Sequence, residues 1–425
     1  MKVLVFFLAF CVECDYARSR TESEIVRKAL RDYASRPVVK AAVVRPQAFE
    51  NLVGNVTLGC QAVSPCGVWV ESVNSNGKAT CRDLCVDNRY LPPRLPGGPA
   101  SGDAAAAAEL QRRLRVAQFP PRCDPAAAHV MGSPRAGLGV ALHYAAHSLL
   151  VAASAGAAFV PSKAYLSTWA TPRLCSARES FTCFFRPVTS CARVGKGSAK
   201  ELPAEIESEA LRLGKKGIRD DVATPGLAER GSMWALGQAL RFLWQPAAAL
   251  RRRIGRARAS ALSALRGPVI GVHVRRGDAC ASGRRCFGWS DYRTEAVAAR
   301  RLYGASSIFL ASDSDEVVEE CRKDNEFHCV AVQMNRSAFT PTQRAQKKSQ
   351  AYLENRIRAG ELDGDEVALS ALVDLALLGE CDIFIGTFSS AFSRLAVLLM
   401  MAQHQHPIPF ISLDSPLGQP DGTIL

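Results

Sequence analysis

An α/β fold built on a parallel sheet is predicted by three runs in the last third of the chain. Val269 to Val274, Ser307 to Ala311 and Ile383 to Ile385 are short, continuous and apolar, the pattern of strands buried on both faces. Each runs into a polar cluster and alternates with helical patterns, so crossover connections and ligand-binding strand ends are expected together. The 425 residues, 48% hydrophobic and 22% charged, supply a sizeable core and exclude wholesale disorder. No apolar run beyond the amino terminus suits a bilayer span, because the best stretch, Leu142 to Val160, carries His143 and His147. A polytopic membrane protein is therefore excluded. The net charge of +13 disfavours a basic partner and favours a phosphate-bearing or polyanionic one.

Taken in order, Met1-Lys2 and the apolar Val3 to Val12 have the positive start and apolar run of a signal peptide or short anchor, assigned to residues 1–16. A buried amino-terminal strand is the plain alternative. Residues 17–91 form a Cys-rich segment, and 92–107 a Pro/Gly/Ser linker whose Ala run leads into a helical pattern through Arg113. Gly137 to Val160 reads as a glycine turn, an apolar helix and a short buried strand. An amphipathic helix is expected over Ser198 to Gly214, and Trp234 to Leu265 is helical, interrupted at Pro246 and rich in Arg.

The chain holds 15 Cys, of which Cys11 and Cys14 fall in the leader, so at least one of the rest is unpaired. The group Cys60, Cys66, Cys81 and Cys85 and the close pairs Cys183/Cys191, Cys280/Cys286 and Cys321/Cys329 suit loop-closing disulfides in an oxidising compartment. Zinc is the rival for the first four, without the C-x-x-C spacing of a finger. The sequons Asn55-Val56-Thr57 and Asn335-Arg336-Ser337 are usable only in the secretory lumen.

The polar clusters carry the chemistry. His273, Arg275 and Arg276 put two permanent cations and an imidazole at one strand end, a clamp suited to a pyrophosphate whose charge grows as it leaves. Alternation sends His273 and Arg275 to one face and Arg276 to the other, toward solvent or an ion pair. The bland alternative is an arginine pair satisfied by Asp278 or by helix ends. Arg-Gly-Asp at 276–278 invites an adhesion reading, which the edge of a buried strand disfavours. Gly386-Thr387-Phe388-Ser389-Ser390 offers free N–H groups and small hydroxyls at a helix start facing an anion, although Ser and Thr are also ordinary N-caps. Asp374 sits in an apolar helical stretch where a bare carboxylate is costly, and either a purine with paired N–H donors or a nearby arginine would satisfy it.

Asp313-Ser314-Asp315 and Asp363-Gly364-Asp365 fit the D-x-D pattern that can hold a divalent ion beside a nucleotide, the second in an evident loop. His143 and His147 share a helix face but lack a third ligand, so packed histidines are the better account than zinc. Gly137-Leu138-Gly139 lacks the third glycine of a nicotinamide fingerprint.

In combination these segments resemble the GDP-fucose-dependent α1,6-fucosyltransferases, the family of the N-glycan core enzyme and the rhizobial chitooligosaccharide enzymes. The resemblance rests on GLGVALH from 137, FFRPVTSC at 184–191, SMWALGQ with Trp244-Gln245-Pro246, VIGVHVRRGD at 269–278, FLASD at 309–313 and VDLALLGECDIFIGTFSSAFSR from 373. It implies a GT-B-like build with two lobes: an amino-terminal open α/β lobe, 108–265, and a Rossmann-like lobe, 266–425, that holds the GDP-sugar. It implies metal-independent, inverting transfer with no cofactor beyond the donor. Arg275 would bind the β-phosphate, with His273 and Asp374 at the guanine end. Ser390, with the backbone near Ser389, would hold phosphate beside Thr387. Gly137 and Gly139 would allow close approach to the pyrophosphate, Asp313 would lie by the nucleotide, and Arg276 would flank the site.

Three departures from the family pattern stand out. The Lys and Glu that follow the strand-end motif in the core enzyme are replaced by Ala279 and Gly283, which leaves Asp278, Asp291 and Glu295 as base candidates. The coiled-coil stem is replaced by the Cys-rich segment, and only a short tail follows Ser412 in place of an SH3 domain. The leading expectation is transfer of fucose from GDP-fucose to a glycan or glycoprotein hydroxyl in the secretory lumen, Golgi or ER, with secretion open. Membrane contact would come only through an uncleaved amino terminus. The alternatives are a noncatalytic, lectin-like descendant, a transferase for another nucleotide sugar or a protein O-linked acceptor, and a polyanion binder using Arg251-Arg252-Arg253, Arg256 and Arg258. That run lacks interleaved aromatics, so no nucleic-acid partner is expected.

Overall fold

The computed structural model describes residues 69–73, 79–83 and 88–96 and, with short breaks, 101–202 and 231–417. The leader, the sequon at Asn55 and the cysteines 60, 66 and 85 lie outside the described residues. Two strands, β1 (Trp69–Val73) and β2 (Ala79–Asp83), form an antiparallel pair.

The principal sheet has six strands in the order β3-β11-β10-β7-β8-β9, comprising β3 (Arg89–Tyr90), β7 (Val269–Val274), β8 (Ser307–Ser312), β9 (His328–Val330), β10 (Ile383–Gly386) and β11 (Phe410–Ser412). Its pairings are parallel except for β3 on β11. The three predicted strands are its β7, β8 and β10. All are buried, which is why their sequences are apolar without alternation. The edge strand β3 comes from the end of the Cys-rich segment, so the 17–91 segment is not separate from the carboxyl-terminal sheet. Its antiparallel pairing needs no crossover and places Tyr90 opposite Phe410.

A second sheet, β5-β4-β6, pairs β4 (Ala128–Met131) in parallel with β5 (Ala158–Pro161) and β6 (Lys200–Leu202). Helix α1 (Ser101–Gln118) begins inside the predicted linker, because the Ala run has high helix propensity and supplies Ala107, Leu110 and Leu114 to the core. β6 also displaces the start of the helix expected from Ser198; the remainder of that stretch lies outside the described residues.

Helices α2 (Leu138–Ser154), α3 (Gly231–Leu243) and α10 (Ala391–His404) pack on one another. Between α3 and α4 (Ala248–Ser260) the chain turns at Pro246, as expected from its missing N–H. The core that they build is continuous from Leu110 to Leu417 and fills the side of the principal sheet that Phe309, Phe384 and Phe410 face. Ile270, Val272, Val274, Ile308 and Ile385 face the other way, onto α6 (Trp289–Tyr303) and α7 (Asp315–Arg322). Two helices complete this region, α8 (Leu353–Arg358) and α9 (Gly364–Leu378), after the short α5 (Gly277–Ala281).

Disulfides Cys280–Cys286 and Cys321–Cys329 close the loops that their spacing predicts. Cys191 bonds Cys123, however, and not Cys183. It follows Thr189 and Ser190, whose hydroxyl and backbone N–H respectively donate to the Gln118 carbonyl at the end of α1, and this docking brings Cys123 within reach. Cys381 is a buried free thiol. In the Arg-rich helix α4, Arg253 bonds Glu366 on α9 and Arg258 bonds Glu380 just beyond its end, so part of the basic run is internal pairing on a helix surface.

Candidate active site at the strand ends

The carboxyl ends of β7, β8 and β10 meet the starts of α5, α7 and α10. Arg275 follows β7 and lies between two carboxylates: Nη2 donates to Asp278 and Nη1 to Asp313. Burial works against its charge, but Asp313 and Asp278 together outweigh that, and the guanidinium is held above its ordinary range. Asp313, at the end of β8, also accepts from the Arg276 backbone N–H at 2.8 Å. Arg276 turns its side chain outward to Glu316 at 3.6 Å, as strand alternation predicts. The bland partner for Arg275, Asp278, is thus real, and the guanidinium is a positioned cation with 24% of its side chain still exposed.

Gly277 makes this arrangement possible. Its φ is +29°, and a Cβ would stand 2.8 Å from Asp313 Oδ2. Gly277→Ala is expected to cost about 1–3 kcal/mol and to disturb the Arg275–Asp313 pairing; a thermal melt that matches the parent would refute this.

His273 is buried, with Nδ1 2.7 Å from Ser393 Oγ and its ring 4.7 Å from that of Phe392. Burial, with the nearby Arg275 charge, pushes its pKa down to about 3, so the imidazole is neutral at physiological pH. Phe392 in turn underlies Gly139, where a Cβ would come within 3.1 Å of the Phe392 backbone N. Gly139 therefore serves contact between α2 and α10. No atom crowds a Cβ placed at Gly137.

The turn after β10 leads into α10, whose N-cap, Ser390, makes no side-chain capping bond. Ser389 is exposed, and its N–H reaches Asp414 at 3.3 Å. Thr387 is buried and hydrogen-bonded with Tyr292. Two further arginines, which the sequence reading did not single out, attend this turn: Arg284 Nη1 approaches the Ser389 carbonyl at 3.4 Å, and Arg394 donates to the Phe388 carbonyl. Arg394 is signalled only by its place one turn into an apolar helix, and Arg284 only by its position inside the Cys280–Cys286 loop. Burial and the Arg284 charge hold Arg394 down to about 10.

Asp374 lies on α9, 5% exposed, with Oδ1 lacking a hydrogen-bond partner. Burial raises its pKa to about 7, with Arg336 pulling the other way. Arg336 donates through Nε to the Ser312 carbonyl at 2.9 Å, which ties the Asp374 neighbourhood to the end of β8. The bland arginine alternative is only partly met, because this arginine forms an ion pair with Asp315, at 3.7 Å.

The second D-x-D is not a loop site. Asp363 caps α9 by accepting from the Asp365 and Glu366 N–H groups, and Asp365 accepts from Thr171 N and Oγ1. Both Asp313 oxygens are engaged as described. Among the described residues no group of three His, Cys, Asp or Glu is arranged to hold a metal ion. His143 and His147 are driven toward neutrality by burial, and neither Nε2 has a partner.

Parallel strands ending in cations beside a helix start define an open-sheet α/β protein with its ligand crevice at the strand ends. A family model described as Alpha-(1,6)-fucosyltransferase N- and catalytic domains matches residues 226–415, which contain this cluster. The Alpha-(1,6)-fucosyltransferase of Drosophila melanogaster is 24% identical over 325 residues, 69% of this chain and 47% of that protein. This chain thus spans about half the length of that relative, 47%. Among solved structures, fucosyltransferase NodZ from Bradyrhizobium aligns at 20% identity and TM-score 0.40 over 64% of this chain and 92% of its own. A mutant of Arabidopsis thaliana FUT1 in complex with GDP aligns at 11% identity and TM-score 0.41 over 72% and 79% respectively.

Proposed function

We propose that the protein transfers fucose from GDP-fucose to a glycan or glycoprotein hydroxyl, α1,6-linked, by metal-independent displacement with inversion. The observation that carries this reading is Arg275, a fixed, partly exposed guanidinium at the end of β7, in a sheet whose neighbouring strand β10 leads into an uncapped helix start, within the segment that matches the family model. Departure of GDP builds charge on the β-phosphate, and a preorganised cation there lowers the barrier. The α10 start, with Ser389, Ser390 and Arg284, is suited to the remaining phosphate charge. Asp374 is suited to a guanine edge with paired N–H donors. Asp278 and Asp313 position Arg275, and His273 packs the base of the site. Residues 108–265 would serve as the acceptor-side lobe and 266–425 as the donor lobe.

The disulfides Cys123–Cys191, Cys280–Cys286 and Cys321–Cys329 support a site of action in an oxidising compartment, which we take to be the secretory lumen. No helix among the described residues is long and apolar enough to cross a membrane.

The test is thermal unfolding with GDP and UDP, because a ligand that binds only the folded state raises its apparent stability. Protection by GDP and not by UDP is expected. Equal protection, or none, would sink the guanine reading. EDTA is expected to leave turnover of GDP-fucose unchanged, since Asp313 already spends both oxygens on Arg275 and the Arg276 N–H. An absolute Mn requirement restored by titration would overturn that assignment.

A further inference from the structure

Transfer to a hydroxyl needs a group that takes its proton, and the three carboxylates that the sequence offers are all engaged. Asp291 caps α6, accepting from the Gly288 N–H at 2.8 Å. Glu295 is paired with Arg89 at the sheet edge. Asp278 is 3% exposed and spends one oxygen on Arg275 and the other on the Leu353 N–H, at 3.2 Å. A carboxylate so enclosed stabilises a cation and has no free lone pair turned to an incoming hydroxyl.

That last hydrogen bond fixes the first turn of α8 against the Arg275 cluster. The residue after Leu353 is Glu354, half-buried where Asp278 is enclosed. We propose that Glu354 is the general base of the transfer, resting on the fucosyl-transfer reading above. In the step, a Glu354 carboxylate oxygen takes the acceptor O–H proton as that oxygen forms a bond to C1 of the sugar. The C1–O bond to the β-phosphate breaks, and its electron pair leaves on the diphosphate, next to Arg275. The proton on Glu354 is then released to solvent, so no further reactant is needed.

The surroundings suit the role. Burial raises the Glu354 carboxyl above the ordinary carboxylate range, and the Asp278 charge adds to this; its own backbone N–H, Arg358 and Arg275 act in the opposite sense. A raised pKa makes the carboxylate a stronger base. Among the described residues the charges facing it are Asp278 and Arg275 from the β7–α5 segment and Arg358 from its own helix, and Arg358 is exposed and bonded to Asn355. The general signal for such a residue is weak in sequence: a lone Glu at the start of a short helix, far along the chain from the strand-end motif.

The experiment compares the parent with Glu354→Gln, Glu354→Asp and Arg358→Ala, with water and a chitooligosaccharide as acceptors for GDP-fucose. GDP protection against unfolding is measured for each. Glu354→Gln should keep GDP protection and the KM for GDP-fucose while kcat falls about 100-fold or more. The parent kcat should decline as pH falls through the raised Glu354 pKa, and that acidic limb should vanish in Glu354→Gln. Glu354→Asp should retain the limb at reduced rate, and Arg358→Ala, which removes a charge that lowers the pKa, should move the limb to higher pH. Parental kcat in Glu354→Gln, an unchanged limb, or a parent that binds GDP-fucose but transfers to neither acceptor would overturn the proposal. Loss of GDP protection in the parent itself would instead remove the donor reading on which it rests.

Discussion

Arg275→Lys is expected to lower kcat about 100-fold to 1000-fold while GDP binding falls much less. The side chain sits between Asp278 and Asp313, one guanidinium nitrogen to each, so its plane is fixed before any ligand arrives. A lysine keeps the charge but is a single point on a flexible stem. It would satisfy one carboxylate and leave the other buried without a partner, since Asp278 and Asp313 are only 4% and 11% exposed at the side chain. The cation would then follow the carboxylate that it bonds and no longer meet the leaving phosphate oxygen. Because phosphate charge grows during departure, that displacement weighs on the transition state more than on the bound donor. Arg276→Lys is the control: that side chain points to Glu316 at 3.6 Å, both groups are largely solvated, and only a small loss is expected. Assays at saturating GDP-fucose on folded variants decide it. Turnover near the parent in Arg275→Lys, or an equal collapse in Arg276→Lys, would refute the clamp.

The strand ends were legible because buried parallel strands must be apolar throughout, and a polar cluster immediately after one has few structural reasons to be there. That logic locates Arg275 and Asp313, and alternation correctly turns Arg276 outward. Partners distant in sequence were not legible. Nothing local tells that Asp278 meets the Leu353 N–H, or that Arg284 is carried to Ser389 by a disulfide loop. The Cys183/Cys191 pairing failed for the same reason, since proximity in sequence competes with the docking of a turn against the end of α1, which brings in Cys123. The D-x-D at 363–365 was expected in a loop and instead caps α9, because an aspartate beside a glycine suits a helix start as well as a turn. The Ala run after Asp103 was assigned in part to a linker although its propensity is helical, and helix packing on α3 decided the matter.

Asp374→Ala is the second large effect expected, and here the loss falls on nucleotide binding. Asp374 is buried, has an oxygen without a hydrogen-bond partner, and has a pKa raised by burial to about 7. An ordinary aspartate in the unfolded chain titrates near 3.8, so the folded protein holds the proton more tightly. The free protein should accordingly lose stability from this group as pH rises from about 4 through about 7. A guanine edge reverses the balance, because two N–H donors bond the ionised carboxylate and return what burial took away. GDP binding should then expel a proton near neutrality, and GDP affinity should strengthen as pH rises from 6 toward 8, by roughly tenfold at most for one proton over about one pH unit. Asp374→Ala should remove that pH dependence and weaken GDP by about 10-fold to 100-fold, in line with roughly 1.5–3 kcal/mol for a hydrogen-bonded charged group. Asp374→Asn distinguishes charge from shape: it keeps the volume but presents an amide, and should bind GDP weakly with no pH dependence. Calorimetric titration of GDP in buffers of different ionisation enthalpy measures the proton released. Parental affinity in Asp374→Ala, or no proton release in the parent, would mean that the buried carboxylate is not the guanine contact.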